Sequence, residues 1–414
     1  MESTVKRLWN RNFSLLVFGQ LISIFGNQVL NFALPFYILQ ISGSPALFGL
    51  VLGVSFLPLI VTSPIGGILA DRLRKQRIMF WLDATVTAMI VLYMIASGFV
   101  TSIVPIVIVK LLALNAIQGI YMPTVQSSIP FLAPADQLTR ANSATSAVNT
   151  ISNMVAPTFA GFLLGRFGLF PILVVCAICF AVTAVMDLMI RIPYRKQESS
   201  QGMLQIVKSD MGQALRFVKS RPILASIGVM TFCISILTTG ILMVGIPVLI
   251  TQHLGMSMEY MGVGRAISWG GALLGTALVG YLGERLTIKS VPFTVVLLGL
   301  SLIPIGVVLL FEIHYFAAFV VMIASDFLFT VIILPYMIPI WAYIQKITPE
   351  ELVGKVMSLF TALPFLASGL GYLLFGMLFE RFYTVPWLIV FISAVLIGIT
   401  GVLSRKRFGR IAVE

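Results

Sequence analysis

Gly67-Ile-Leu-Ala-Asp71-Arg72-Leu-Arg74-Lys75-Gln-Arg77 decides how the whole chain is read. Its charged side chains crowd into a short segment between two long apolar runs, residues 46–70 and 77–98. Each run exceeds the about 20 residues that an α-helix needs to cross hydrocarbon. The same alternation continues in both directions. Of 414 residues, 59% are hydrophobic and 10% are charged, and the mean hydropathy is +1.03. A soluble domain carries about a quarter of its residues as charges. A surface this poor in charge has lipid as its solvent. Hydrocarbon offers backbone groups no partner, which leaves helices or a closed barrel. Barrel strands would alternate apolar with polar; these runs are continuously apolar, so the chain is an all-α membrane protein.

Twelve spans follow, at 13–40, 46–70, 77–98, 103–125, 141–165, 169–190, 223–250, 259–282, 291–311, 315–341, 355–379 and 384–404. With the N-terminus on the cytoplasmic side, 23 Lys and Arg residues fall in loops on that side. Only Arg166 and Arg381 fall on the other, and Lys110 and Arg265 lie within spans. Lys and Arg concentrate in cytoplasmic loops, so a multi-pass protein of the cell membrane with both termini in the cytoplasm is expected. The net charge of +12 and pI near 9.8 are then topology rather than a sign of nucleic acid. The start, basic and then apolar over a long run, lacks the short apolar core and cleavage site of a secretory signal. The polar stretch 191–222 separates an N-terminal bundle, 1–190, from a C-terminal bundle, 223–414. Its second part reads as an amphipathic surface helix with Ile206, Val207, Leu215, Phe217 and Val218 toward lipid. Cys176 and Cys179 form a CxxC, read here as two small apolar residues on one helix face.

The two bundles echo each other. Gly280-Tyr-Leu-Gly-Glu284-Arg285 matches the Gly67 loop at an offset of 213. Pro349-Glu-Glu351-Leu-Val-Gly-Lys355 matches Pro134-Ala-Asp136-Gln-Leu-Thr-Arg140 at an offset of 215. Two matches at nearly one offset imply two pseudo-symmetric six-helix bundles, a layout found in transporters built from internal repeats. Gly67 reads as a point of close helix approach. Asp71 is placed to accept from the first amides of the next helix, at its positive dipole end. Gly67, Asp71, Arg72, Arg74, Glu284 and Arg285 are candidates for a conformational gate; the alternative is a pair of simple topology anchors.

The Gly67 loop and its copy at Gly280 resemble the signature of the major facilitator superfamily, over Asn12 to Arg405. Gly19-Gln-Leu-Ile-Ser, Ser42-Gly-Ser-Pro45 and Ile129-Pro-Phe-Leu-Ala-Pro-Ala-Asp-Gln-Leu-Thr-Arg-Ala-Asn142 look like the bacterial drug-efflux branch that includes macrolide exporters. The resemblance implies the twelve-helix major facilitator fold. Two departures bear on proton antiport. Asn115, ahead of Gln118-Gly119, stands about where drug/proton antiporters often carry arginine, and the glycines around Ala156-Pro157 are thinned.

Ionisable groups at membrane depth cost several kcal/mol and mark function by default. Lys110 in the fourth span and Asp326 in the tenth are near-equivalent by the repeat, and in the family fold both spans line the central cavity. They read as a coupling-proton or substrate site, or as an ion pair, with Arg265 as a competing partner for Asp326. Asp83 is assigned to nearby loop bases and Asp187 to Arg191 at i,i+4 spacing. Gln20, Asn27 and Asn31 share one face of the first span; with Asn115 they are candidate cavity-lining or helix-joining polar groups. Pro35, Pro157, Pro247, Pro335, Pro339 and Pro364 mark kinks.

The chain has no Walker A motif, no His/Cys/carboxylate cluster suited to a metal and no assembled nucleophilic triad. No enzyme activity, catalytic residue, metal or cofactor is therefore expected. The favoured reading is a monomeric secondary transporter whose partners are a small amphiphilic substrate, protons and the lipid bilayer. It would export drugs or metabolites by proton-coupled alternating access. A lipid or lysolipid translocator on the same scaffold, or a membrane sensor without flux, are the alternatives. The charge split makes a checkable statement: a cysteine introduced at Ser199 is labelled by impermeant thiol reagents only from the cytoplasmic side. Labelling from outside alone refutes the topology.

Overall fold

The computed structural model describes residues 8–96, 104–193, 203–311 and 313–408. Within these residues every regular element is a helix: α1 (Arg11–Ser42), α2 (Pro45–Ser55), α3 (Leu57–Arg72), α4 (Lys75–Ala96), α5 (Val104–Gln126), α6 (Ile129–Leu132), α7 (Leu138–Phe167) and α8 (Leu169–Met189) in the first half. The second half has α9 (Met203–Ser220), α10 (Pro222–Thr239), α11 (Ile246–Val248), α12 (Met258–Leu282), α13 (Val291–Leu310), α14 (Tyr315–Ile347), α15 (Glu350–Arg381) and α16 (Pro386–Phe408). Among the described residues, 11 helical spans are long and apolar enough to cross a membrane. The twelfth long helix, α12, falls outside that set because Arg265 and its many glycines lower its apolarity.

Proline chemistry shapes several elements. Pro58 has no N–H to offer, and the second span is broken at Phe56 into α2 and α3. Pro247 lies in α11, between π-helical turns at Gly240–Gly245 and Leu249–His253. Gly168, at φ 75°, turns the chain from α7 into α8 in one residue, a conformation that favours glycine.

The chain forms two compact units. The first holds Met1–Ser42, Val54–Ser199 and Ser257–Ala266; the second holds Gly43–Gly53, Ser200–Met256 and Ile267–Glu414. In the first, α1 packs on α7 and α8, α4 on α8 and α5, and α3 on α5. In the second, α10 packs on α15 and α16, and α13 on α16 and α14. These are the same pairings displaced by one repeat. The completing pair, α12 on α14, is seen where a Cβ at Gly271 would come within 2.7 Å of the Phe327 carbonyl oxygen. The two six-helix bundles are thus alike in packing.

Glycine makes the closest crossings. In the first unit, α7 crosses α12 where a Cβ at Gly161 would lie 2.6 Å from the Met258 carbonyl oxygen and 3.0 Å from Gly262 Cα. In the second, α2 crosses α15 where a Cβ at Gly49 would lie 2.2 Å from the Tyr372 carbonyl oxygen. Gly49 and Gly262 are related by the 213 offset, Gly161 and Gly376 by the 215 offset. At the latter crossing Glu380 accepts from Ser44 Oγ at 2.5 Å and from the Ala46 N–H at 3.0 Å, so it caps α2.

Two expectations are corrected. Gly67 is not a close-approach point, since a Cβ there meets nothing within 4 Å. Gly66 fills that role, where a Cβ would lie 2.6 Å from Ile120 Cα, and Gly283, at φ 47°, makes the turn after α12. The amphipathic helix exists as α9, but it lies on α15 and α10 with Ala214 and Val218 buried and Leu215 exposed. Lys355 Nζ donates to Gln213 Oε1 at 2.8 Å and fixes it there. The side chains of Ile206 and Val207 lie outside the described residues.

Overpacked cores lose about 1–3 kcal/mol. Gly161→Val and Gly376→Val therefore lower the melting temperature in detergent, while Gly67→Ala leaves it at the wild-type value. Equal melting of all three would mean the crossings are not tight in solution.

Candidate functional site

α1 and α5 share a ribbon of amides. Asn31 Nδ2 donates to Asn27 Oδ1, and Asn27 Nδ2 donates to Gln118 Oε1 at 2.5 Å. Asn115 Nδ2 reaches Asn31 Oδ1 at 3.4 Å and the Leu111 carbonyl at 3.0 Å. A second link joins α1 to α7 through Gln28 Nε2 and Asn153 Oδ1 at 2.6 Å. Three of the predicted polar residues, Asn27, Asn31 and Asn115, are thus brought together, and Gln118 joins them. The ribbon explains the departure at Asn115: the side chain there meets neutral amides, which an amide satisfies and an arginine would leave carrying a buried charge. Gln20 is buried on the same helix but stands apart from the ribbon.

Lys110 and Asp326 each find surroundings in their own unit. Lys110 is 3% exposed, sits 4.5 Å above the centre of the Tyr93 ring and has the Cys176 thiol nearby. Its Nζ has no hydrogen-bond partner among the described residues. A cation over an aromatic face gains from the ring quadrupole. Asp326, 2% exposed near the middle of α14, accepts from Ser268 Oγ at 2.5 Å. Ser268 lies on α12, one turn beyond Arg265, which is itself buried. Sequence reasoning missed Ser268, whose only signal was its place in that apolar span near Arg265.

At the Gly67 loop, Lys75 Nζ donates to the Ala70 carbonyl at 2.7 Å and lies 5.3 Å above the Phe131 ring. Arg72, Arg74 and Arg285 are exposed. The side chains of Asp71 and Glu284 lie outside the described residues.

Two acids stand differently from expectation. Asp83 and Asp187, assigned to loop bases and to Arg191, are each 2% exposed and interact with one another. Arg191 is exposed, and its backbone N–H donates to Asn12 Oδ1 at 3.2 Å. Tertiary packing of α4 on α8 overrides the i,i+4 geometry, because Arg191 lies beyond the end of α8 and does not continue its helical face.

Paired six-helix bundles, spanning helices with buried charges and an internal repeat define a polytopic membrane transport protein. The Major Facilitator Superfamily profile matches residues 16–372, and the chain belongs to that family. It is 23% identical over 392 residues to Macrolide efflux protein A of Streptococcus pyogenes, covering 92% of this chain and 93% of that protein. It is 24% identical over 372 residues to the Multidrug efflux pump Tap of Mycobacterium tuberculosis H37Rv, covering 87% of this chain and 85% of the pump. Among solved structures, the fold resembles the peptide transporter POT in complex with sulfate, with TM-score 0.71, 14% identity, and 99% and 96% coverage. It also resembles a bacterial homologue of the iron transporter ferroportin in an inward-facing state, with TM-score 0.69, 16% identity, and 95% and 100% coverage.

The ribbon yields a test. Asn27→Leu strips the half-buried Asn31 and Gln118 of a partner at once, at a cost of about 1 kcal/mol for each lost bond. Asn115→Leu removes the long 3.4 Å end contact to Asn31 and a bond to the Leu111 carbonyl of its own helix, strands no side chain at the centre of the ribbon, and costs less. Thermal unfolding in detergent is expected to rank them in that order; the reverse order would deny that the ribbon is continuous.

Proposed function

We propose that the chain exports amphiphilic small molecules across the cell membrane by alternating access, driven by the proton gradient. Both termini and the 191–222 linker then face the cytoplasm, with bundles at 1–190 and 223–414, and the protein works as a monomer. The single observation that carries proton coupling is Asp326, a carboxylate of α14 that is 2% exposed and accepts from the hydroxyl of Ser268 at 2.5 Å. The Ser268 hydroxyl both donates to a carboxylate and accepts from the protonated acid, so this bond is compatible with either state of Asp326. Relatives named for macrolide and multidrug efflux, matched over most of their length, favour export of amphiphiles over lipid translocation. Lys110, Arg265 and the amide ribbon supply polar contacts for the cargo.

The crossings support alternating access. Gly161 against Gly262 and Gly49 against Gly376 meet backbone to backbone, with the Thr158–Gly262 and Glu380–Ser44 hydrogen bonds as the side-chain links to break when the helices part. Asp71 and Glu284 serve this movement from the Gly67 loop and its copy, each beside an exposed arginine.

Reconstitution into proteoliposomes tests the proposal, with a macrolide as probe and an imposed pH step. Wild type accumulates the drug against its gradient. Asp326→Asn keeps an acceptor for Ser268 and retains drug exchange, but loses uphill accumulation by on the order of tenfold, within the usual range of coupling energies. Unchanged uphill transport by Asp326→Asn removes the coupling role. Lipid movement that ignores the pH step favours the translocator instead.

A further inference from the structure

α7 carries two exposed lines of different chemistry. Ile151, Val155 and Phe162 recur at helical spacing and are exposed, an apolar line suited to lipid. The other line is polar. Thr139, Ser143, Ser146 and Thr150 follow at alternating four- and three-residue steps, which keeps them on one face of the helix. All four are exposed, and they are flanked by Asn142, exposed, and Asn149, half-buried. The same face continues through Asn153, Pro157 and Gly161. Asn153 Oδ1 accepts from Gln28 Nε2 of α1 at 2.6 Å, and Pro157 and Gly161 meet Gly262 of α12. One face of α7 thus passes from open polar residues to a closed glycine crossing.

Hydrocarbon is a poor solvent for the open part of this face, because a hydroxyl or amide without a partner is costly there. The polar residues also make α7 the least apolar of the eleven spans. The fold does not require them. At the offset of 215, the positions of Asn142, Asn149 and Thr150 are Met357, Pro364 and Phe365, and α15 is a continuous helix through all three. Ser143 and Ser146 keep hydroxyls there, as Ser358 and Thr361. The amides and the Thr150 hydroxyl are therefore an addition of the first half, and what they face is water or a polar cargo.

The hydrogen bonds of the face select its ligand. Ser143 Oγ donates to the Thr139 carbonyl at 2.9 Å and Thr150 Oγ1 to the Ser146 carbonyl at 3.1 Å. Each hydroxyl has spent its one proton on its own helix and keeps only lone pairs to offer. Asn142 Nδ2 donates to the Leu138 carbonyl and Asn149 Nδ2 to the Thr145 carbonyl, each at 3.0 Å. Their Oδ1 atoms have no partner among the described residues. The face therefore presents a row of neutral acceptors, and its inner end, Asn153, is tied to the chain neighbour of Asn27 in the amide ribbon. We infer that this face of α7 recognises cargo on entry and selects amphiphiles that donate hydrogen bonds, through hydroxyl or protonated amine groups, over anionic ones. Water fills it when cargo is absent. This inference rests on the export proposed above and names the chemistry of what is exported.

Single cysteines test it in a Cys233→Ala background, in inside-out membrane vesicles without a pH gradient. An impermeant maleimide labels Ser143→Cys and Ser146→Cys but not Ile151→Cys or Val155→Cys. A macrolide slows labelling at Ser146→Cys, and the same macrolide with its hydroxyls methylated protects about three- to tenfold less well, the worth of a hydrogen bond. Thr150→Val raises the macrolide concentration for half-protection by a similar factor, and Thr150→Ser restores it. Equal labelling of both lines, no labelling of the polar line, or equal protection by the two macrolides overturns the inference. So does a Thr150→Val variant that is protected like the wild type. The two readings fail separately. Uphill export by wild type with no protection at Ser146→Cys ends this inference alone. Protection without uphill export ends the proton-driven export and upholds the face as a binding site.

Discussion

Hydrocarbon gives a buried N–H, carbonyl or carboxylate no partner, and that constraint governs this molecule at every level. On the backbone it makes every described regular element a helix. On side chains it makes the interior polar groups seek one another. Thr62 Oγ1 donates across to the Ala116 carbonyl at 2.8 Å, and Asn10 Nδ2 donates to the Leu132 carbonyl at 2.7 Å. The amide ribbon of α1 and α5 and the Ser268–Asp326 bond belong to the same economy. Where the constraint is left unmet, at Lys110, Asp83 and Asp187, function is the natural place to look.

With little hydrophobic force between helices in lipid, close packing of small residues holds them together. The glycines carry this. Gly66 and Gly119 seat α3 on α5, where a Cβ at Gly119 would come within 2.1 Å of Thr62 Oγ1. The crossings at Gly161/Gly262 and Gly49/Gly376 differ in a useful way: each joins a helix from one half of the sequence to a helix from the other. The repeat relation between them means that one ancestral contact serves twice, and that symmetry is what alternating access would use.

Much of this was legible in the sequence, for stated reasons. Continuous apolar runs give the spans directly, and the repeat finds α12 even though Arg265 and its glycines weaken its hydropathy. Asn27 and Asn31 were legible as candidates because helical spacing puts them on one face, and Asn115 because it stands where the family resemblance points to an arginine. The break at Phe56 was not, because a proline in an apolar run reads equally well as a kink. Partner choice was least legible. Asp187 has Arg191 at an attractive local spacing, yet α4 brings it Asp83 instead. Val218 looks lipid-facing by periodicity, yet α15 and α10 cover it. Gly67 carries the resemblance, yet its neighbour Gly66 makes the contact. In each case a tertiary neighbour, invisible to a local rule, decides the outcome.

The proposed export couples two fluxes, and following both at once tests it most directly. Purified protein in proteoliposomes with an internal pH indicator is given a macrolide with no imposed gradient. The account predicts that drug movement in one direction is matched by proton movement in the other, and that both stop together when the drug equilibrates. Drug flux with the internal pH unmoved would contradict it.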